Sequence, residues 1–258
     1  MERLELPRAA MAPERPELSL VFPAFDEEAN VGPLLDTALA LAPKLASDFE
    51  IILVDDGSRD ATGSLAAERS RHDPRIRVVR HAANRGYGAA LRSGLREARG
   101  ELVFVSDADL QFDLSELGRL LAHARDFDIV AGYRSPRRDP FGRLLIAIAW
   151  GLVVRALFGL DVRDLGCAFK VFRRHVIESM PIASIGAFVN TEILVRARAA
   201  GHRIHQIPVA HRPRRHGRQT GASPRVLLRA VVELARLHRE LRAIASTTAP
   251  AAGLSPEE

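Results

Sequence analysis

The chain carries a single cysteine, Cys167, among its 258 residues. No internal disulfide can form, and a reducing compartment suits that composition. One cysteine and scattered histidines also argue against a Cys/His metal site. Aromatic residues make up only 5% of the chain and are mostly Phe. The basic stretches therefore lack the interleaved aromatics of a nucleic-acid surface, and no nucleic-acid partner is expected. The chain also lacks a long apolar run. Its most apolar stretch, "LLIAIAWGLVV" at 144–154, is bounded by Arg143 and Arg155. That is too short to span a bilayer and reads as a buried or interfacial helix. Residues 1–17 are polar and Pro-rich, without the apolar centre of a signal peptide, and read as a disordered leader. Residues 245–258, "ASTTAPAAGLSPEE", read as a flexible tail.

What is present is a large apolar fraction, 47%, and a net charge of +5. The first supports a substantial core. The second favours an anionic partner such as phosphate or a membrane surface. Short apolar runs alternate with helical patterns. Strands are predicted at 18–23, 50–56, 75–81, 101–107 and 128–134, helices at 27–41, 60–71 and 115–125, and a Gly-containing loop entering a helix over 84–98. Continuous apolar strands separated by helices imply an α/β fold, a mostly parallel sheet covered on both faces. The second half is less regular. Helices are predicted at 141–159, 190–200 and 223–244, and strands at 167–172 and 202–211. No internal repeat and no linker appears before residue 212, so a single domain over 18–244 is expected.

In such a sheet ligands bind beyond the carboxyl ends of the strands. Acids gather there: Asp26 and Glu27 in "FPAFDEE", Asp55 and Asp56 in "VDDGSRD", Asp107 and Asp109 in "SDADLQ". "DDGS" alone would serve as a turn and helix cap. Three acid-bearing strand ends on one sheet ask for more. Asp107 and Asp109 lie two apart, on one face of extended chain, with Gln111 following. Carboxylates and an amide oxygen are hard ligands, suited to Mg²⁺ or Mn²⁺ shared with substrate phosphates. Near the other end, "HRPRRHGRQT" supplies Arg212, Arg214, Arg215 and Arg218, whose guanidinium forks match phosphate oxygens.

Six segments, "FPAFDEEANV", "VDDGSRDAT", "NRGYGAALRSG", "SDADLQFD", "DLGCAFKVFRR" and "HRPRRHGRQTGAS", resemble in order those of family 2 glycosyltransferases. The similar group is dolichyl-phosphate mannose synthase and the bacterial polyprenyl-phosphate glycosyltransferases, and the resemblance runs from about Leu18 to about Arg242. It implies a GT-A type, Rossmann-like fold and inverting transfer of a hexose, such as mannose or glucose, from a GDP- or UDP-linked donor to a polyprenyl phosphate. It implies nucleotide contacts from Pro23, Ala24, Phe25, Glu27, Asp55, Asp56, Asn84, Gly86, Asp107 and Ala108. It places Mg²⁺ or Mn²⁺ on Asp107, Asp109 and Gln111. Asp109, Arg134, Arg215 and Arg218 would be catalytic, and Arg134, Lys170, Arg215 and Arg218 would meet the acceptor phosphate. The chain departs from the usual pattern at Phe25, Asp26 and Cys167–Ala168, and in "QFDLSEL" after the acids. A peripheral position at the cytoplasmic face of the membrane is expected. Helix 223–244 would lie on an anionic leaflet, its stripe of Arg225, Arg229, Arg236 and Arg239 opposite Leu227, Ala230, Leu234, Leu237 and Leu241. Two other readings stand beside it: a glycosyltransferase with a soluble or polysaccharide acceptor, and a nucleotidyltransferase. The latter would normally carry a basic, Gly-rich loop where "AFDEEAN" stands.

Overall fold

A computed structural model of the protein describes residues 15–137, 141–214 and 224–248. Most of the leader, the end of the tail, and Arg215 and Arg218 lie outside them. Seven strands form one sheet: β1 (Leu18–Ala24), β2 (Phe49–Asp55), β3 (Ile76–Arg80), β4 (Leu102–Val105), β5 (Ile129–Arg134), β6 (Lys170–Arg173) and β7 (Ile204–Val209). Their order is β3-β2-β1-β4-β6-β5-β7. All run parallel except β6, which is inserted antiparallel between β4 and β5. The predicted strand at 167–172 is thus shorter and shifted, and points the other way from its neighbours.

The helices are α1 (Glu28–Leu41), α2 (Thr62–His72), α3 (Tyr87–Glu97), α4 (Leu117–His123), α5 (Phe141–Phe158), α6 (Arg174–Glu178), α7 (Val189–Ala199) and α8 (Pro224–Thr248). β1 and β2 are buried at every position. That follows from side chains alternating between two covered faces. Leu20, Phe22, Ile51 and Leu53 pack with Leu34, Leu35 and Ala38 of α1 and Leu117 and Leu120 of α4. Val21, Ile52 and Val54 pack on the other face with Leu91 and Leu95 of α3, Ile193 and Leu194 of α7, and Leu234 and Leu237 of α8. Each fully buried Leu, Ile or Phe contributes about 1.5–3 kcal/mol through removal of apolar surface from water. Helix α3 lies close on the sheet because Gly94 faces Val21. A Cβ there would come within 2.3 Å of Val21 Cγ1.

Two helices differ from expectation. α8 runs to Thr248, so the tail begins later than residue 245. Its inner stripe, Leu234 and Leu237, is buried, but its outer face is not simply basic: Leu228, Val231 and Val232 are exposed beside Arg229, Arg236 and Arg239. α5 is anchored by buried Val154 and by Phe158, which meets His238 of α8 at 5.5 Å between ring centres. Its remaining surface shows Leu145, Ile146, Ile148, Leu152, Val153 and Leu157 to solvent. No helix among the described residues is long and apolar enough to cross a membrane.

Candidate functional site

Strand β1 has β2 on one side and β4 on the other: the chain runs outward from β1 to β2 and β3, then crosses back to β4 on the far side of β1. This is a topological switch point, where open α/β sheets form their crevice. The ends of β1, β2 and β4 carry the acids. Asp26 adopts a left-handed backbone, φ 54°. Its N–H donates to Ser58 Oγ at 3.0 Å, and its Oδ1 accepts the Arg59 N–H at 2.9 Å. The Glu27 N–H donates to Thr62 Oγ1 at 2.7 Å. The end of β1 is thereby fastened to "DGSRDAT". Pro23 and Ala24 are buried within β1, and Phe25 is exposed.

Asp55 and Asp56 are both buried. Asp55 accepts the Ser58 N–H at 2.9 Å and pairs with Arg80 Nε at 3.1 Å. Asp56 meets His81 Nδ1 at 2.6 Å and accepts the N–H groups of Arg85 at 3.0 Å and Gly86 at 2.8 Å. Asp56 therefore shapes the loop that leaves Asn84 exposed and starts α3 at Gly86, where φ is 97°. That loop crosses Gly57 so closely that a Cβ there would sit 2.5 Å from the Ala83 carbonyl carbon.

The turn after β4 is built differently. Ala108 is buried, and Leu110 takes a left-handed φ of 57°. Asp109 accepts the Gln111 N–H at 3.1 Å. Asp107 Oδ1 is shut off from water with no hydrogen-bond partner. Burial first, and then the Asp109 charge, push the Asp107 carboxyl up to about 7. Burial likewise raises Asp109 and Glu27 above the usual carboxylate range. Arg214 bridges them. It pairs with Glu27, and its Nη1 lies 3.5 Å from Asp109 Oδ2. Glu27 also accepts from Asn30 Nδ2 at 2.6 Å. Three raised acids and an orphaned carboxylate oxygen, all hard oxygen donors, fit Mg²⁺ or Mn²⁺. Gln111 gives its side-chain amide N–H to the Arg212 carbonyl at 3.0 Å, and its backbone carbonyl accepts the Arg212 N–H at 2.8 Å. It thus ties the segment after β7 to the acidic turn. His211 stacks edge-on against Phe112, and its field at Asp109 opposes the rise that burial causes there.

Behind this turn lies Lys170, which sequence reasoning set at the acceptor phosphate. Its side chain is closed off from solvent, 1% exposed. The ammonium donates to the Cys167 carbonyl, and to Asn190 Oδ1 at 3.3 Å. Burial lowers its pKa. Lys170 acts on the site through its field at Asp107, because a side chain starting inside β6 has no route to the surface. Arg134 is held by Asp164 in a fork, Nε to Oδ2 at 2.7 Å and Nη2 to Oδ1 at 2.9 Å. Although burial opposes it, that pairing keeps Asp164 below the ordinary carboxylate range. Burial pushes the Cys167 thiol up to about 12, which makes it an inert packing residue.

Sequence reasoning missed Tyr87, whose buried hydroxyl lies beside Asp107 and Asn190 and is pushed well up by burial. It also missed Asn190, the Lys170 partner. A single aromatic opening a helix and an Asn inside one give no local signal. Glu192 is structural. It accepts the Ala183 and Ser184 N–H groups at 3.1 and 2.8 Å and pairs with Arg196 at 2.8 Å.

A seven-stranded, mostly parallel sheet with an acid-lined switch point defines a GT-A type, Rossmann-like protein. The family model for "Glycosyl transferase family 2" matches residues 19–180, more than half of the chain. The chain belongs to that family. It is 34% identical over 222 residues to an undecaprenyl-phosphate 4-deoxy-4-formamido-L-arabinose transferase of Pseudomonas fluorescens, covering 84% of this chain and 63% of the relative. It is 32% identical over 206 residues to a dodecaprenyl-phosphate galacturonate synthase of Rhizobium johnstonii, covering 78% and 60%. The chain thus spans less than two thirds of the length of these curated relatives. In fold it resembles mannosyl-3-phosphoglycerate synthase of Rubrobacter xylanophilus, with TM-score 0.69, 23% identity, and 89% and 75% of the two chains covered. It also resembles glucosyl-3-phosphoglycerate synthase of Mycobacterium tuberculosis, solved with Mn²⁺, UDP and product, with TM-score 0.64, 21% identity, and 94% and 84% covered.

Proposed function

We propose that the protein moves a sugar, with inversion, from a nucleoside-diphosphate donor to a polyprenyl phosphate. The observation that carries this is the acidic turn: Asp107 and Asp109 are raised, with one carboxylate oxygen unsatisfied, at the switch point of the sheet. Asp107 and Asp109, with Gln111 beside them, would hold Mg²⁺ or Mn²⁺, as Mn²⁺ accompanies UDP in the mycobacterial fold relative. Such an ion supplies electrostatic stabilisation of the charge that gathers on a departing diphosphate.

The chain's own residues do the rest. Pro23, Ala24, Phe25, Glu27, Asp55, Asp56, Asn84, Gly86 and Ala108 form the wall against which the nucleotide rests. In it, Asp56 keeps the Arg85 and Gly86 amides in place. A lipid phosphate is already anionic at neutral pH. It attacks the anomeric carbon as the bond to the diphosphate breaks, and needs no protein base. Arg134 would meet that phosphate with its fork oriented by Asp164. Arg215 and Arg218 would approach it from the segment following Arg214.

The relatives support a lipid-phosphate acceptor through their names, undecaprenyl- and dodecaprenyl-phosphate. Those names broaden the sugar beyond mannose or glucose. The exposed apolar faces of α5 and α8 support a peripheral seat on the cytoplasmic leaflet, where the acceptor's chain stays in lipid. The test is to incubate the protein with vesicles containing polyprenyl phosphate, Mg²⁺ or Mn²⁺, and a panel of labelled donors. The panel spans GDP-mannose, UDP-glucose and nucleotide forms of the sugars in the relatives' names. Label entering the organic phase from one donor is the expected result. Transfer only to a water-soluble acceptor would overturn the lipid assignment.

A further inference from the structure

The edge of the sheet opposite the acidic turns carries a second cluster. Asp128 immediately precedes β5, and His202 stands two residues before β7. β6 runs antiparallel and so ends on this same edge, where α6 follows it with His175 in its first turn. β5 separates this edge from Arg134 by about 20 Å, at about 3.3 Å per residue. His175 Nε2 lies 3.4 Å from Asp128 Oδ1, and His202 Nδ1 lies 4.0 Å from Asp128 Oδ2. One ligand atom from each of the three falls within 4.8 Å of the others. A four-coordinate ion with bonds of about 2.0–2.1 Å sets its ligand atoms about 3.3–3.5 Å apart, so little movement is needed.

The side chains are already oriented for this. Asp128 Oδ2 accepts the Arg203 N–H at 2.7 Å. His202 Nε2 lies 3.4 Å from Ser179 Oγ, and that hydroxyl gives its own proton to the Val176 carbonyl at 2.9 Å. Ser179 is left as an acceptor. It can take the proton of Nε2 when Nδ1 turns its lone pair to an ion beside Asp128. The side chains of Asp128 and His202 are 18% and 16% exposed, and that of His175 is 54% exposed. The cluster is therefore walled on one side and open to water on the other.

We propose that Asp128, His175 and His202 form a site for a borderline divalent transition metal, zinc by preference, with water in the fourth position. Two imidazoles and a carboxylate suit that class of ion, whereas the all-oxygen turn at Asp107 and Asp109 suits Mg²⁺ or Mn²⁺. The ion would staple the start of β5, α6 and the turn into β7, three segments far apart in sequence. It would stabilise the fold without touching the donor.

The test uses the full chain, stripped with chelator and free of nucleotide and Mg²⁺. Zn²⁺ should bind at one equivalent per chain and raise the melting temperature. Co²⁺ should give the visible absorption of a low-coordinate, nitrogen-ligated ion. His175 is half-exposed, so His175→Ala should fold normally. It should weaken Zn²⁺ binding at least tenfold, abolish the Co²⁺ signal, and leave Mg²⁺-supported transfer unchanged. Ser179→Ala, which removes only the orienting contact, should weaken Zn²⁺ by about tenfold. Asp109→Ala should keep both signals. The proposal is overturned if wild-type protein binds no Zn²⁺, or if His175→Ala binds it with wild-type affinity.

Discussion

The two edges of this one sheet treat buried acids in opposite ways. At the amino edge, Glu50 accepts from Ser19 Oγ at 2.7 Å, from the Arg99 N–H at 2.6 Å and from Arg77 at 3.0 Å. Burial alone would raise its pKa, yet those partners hold it below the ordinary value. At the carboxyl edge Asp107 keeps an oxygen without a partner, and Asp109 and Glu27 share one guanidinium. There burial wins, and all three are raised. Burial therefore does not decide the state of a carboxylate by itself; the number of fixed donors does. A buried acid satisfied as Glu50 is belongs to finished structure. An edge whose acids are left short of donors is suited to a cation that comes with the substrate.

The largest effect expected from this contrast is on chemistry. Asp109→Ala should lower transfer by about 10²–10³-fold, the cost of losing one preorganised electrostatic element. Its denaturation midpoint should stay level or rise, because the residue is held at a cost in the unliganded protein. A midpoint drop as large as that of a Glu50 variant would make the two edges alike. Glu50→Ala should do the reverse. It strands the Ser19 hydroxyl and the Arg99 amide and should cost about 2–3 kcal/mol, read from a denaturant midpoint, with transfer by the folded fraction unchanged.

The smallest effect is in pH dependence, and its sign separates the edges. Glu50 is depressed below 4.5, so its contribution is present above that pH and is lost as pH falls through its lower folded value. Asp107 is raised from 3.8 to about 7, so its contribution is present below the first value and is lost as pH rises through the second. Denaturation of chelator-treated protein should show Asp107→Asn flattening the decline in stability between roughly pH 4 and 7. Glu50→Gln should alter only the more acidic limb.

Much of the carboxyl edge was legible in the sequence, and much of the amino edge was not. β1, β2 and β4 announce themselves as largely apolar runs, and acids stand at or within two residues of the end of each. The position of Asp107 and Asp109 follows from that order alone. The direction of β6 does not, since "KVFR" would serve a parallel neighbour equally well. α6 has only five residues, too few to show a helical period. Lys170 looks like a phosphate ligand until pairing with Val105 and Ala131 encloses it. Arg214 reads as one more surface arginine, because its partner Glu27 lies 187 positions away. The cluster of Asp128, His175 and His202 leaves no spacing signature, for three different elements bring it together. On α5 the sequence offered a buried or an interfacial helix. The structure combines them, with Val154 inward and Leu145, Ile148 and Leu152 outward.

The central claim is that the acids after β4 hold a divalent ion together with a nucleoside diphosphate. Electron paramagnetic resonance of free Mn²⁺, titrated with protein in the presence of UDP or GDP, measures this directly. One Mn²⁺ should disappear from solution per chain with wild type and with His175→Ala, and not with Asp109→Ala. Equal Mn²⁺ and nucleotide binding by Asp109→Ala and wild type would contradict the account.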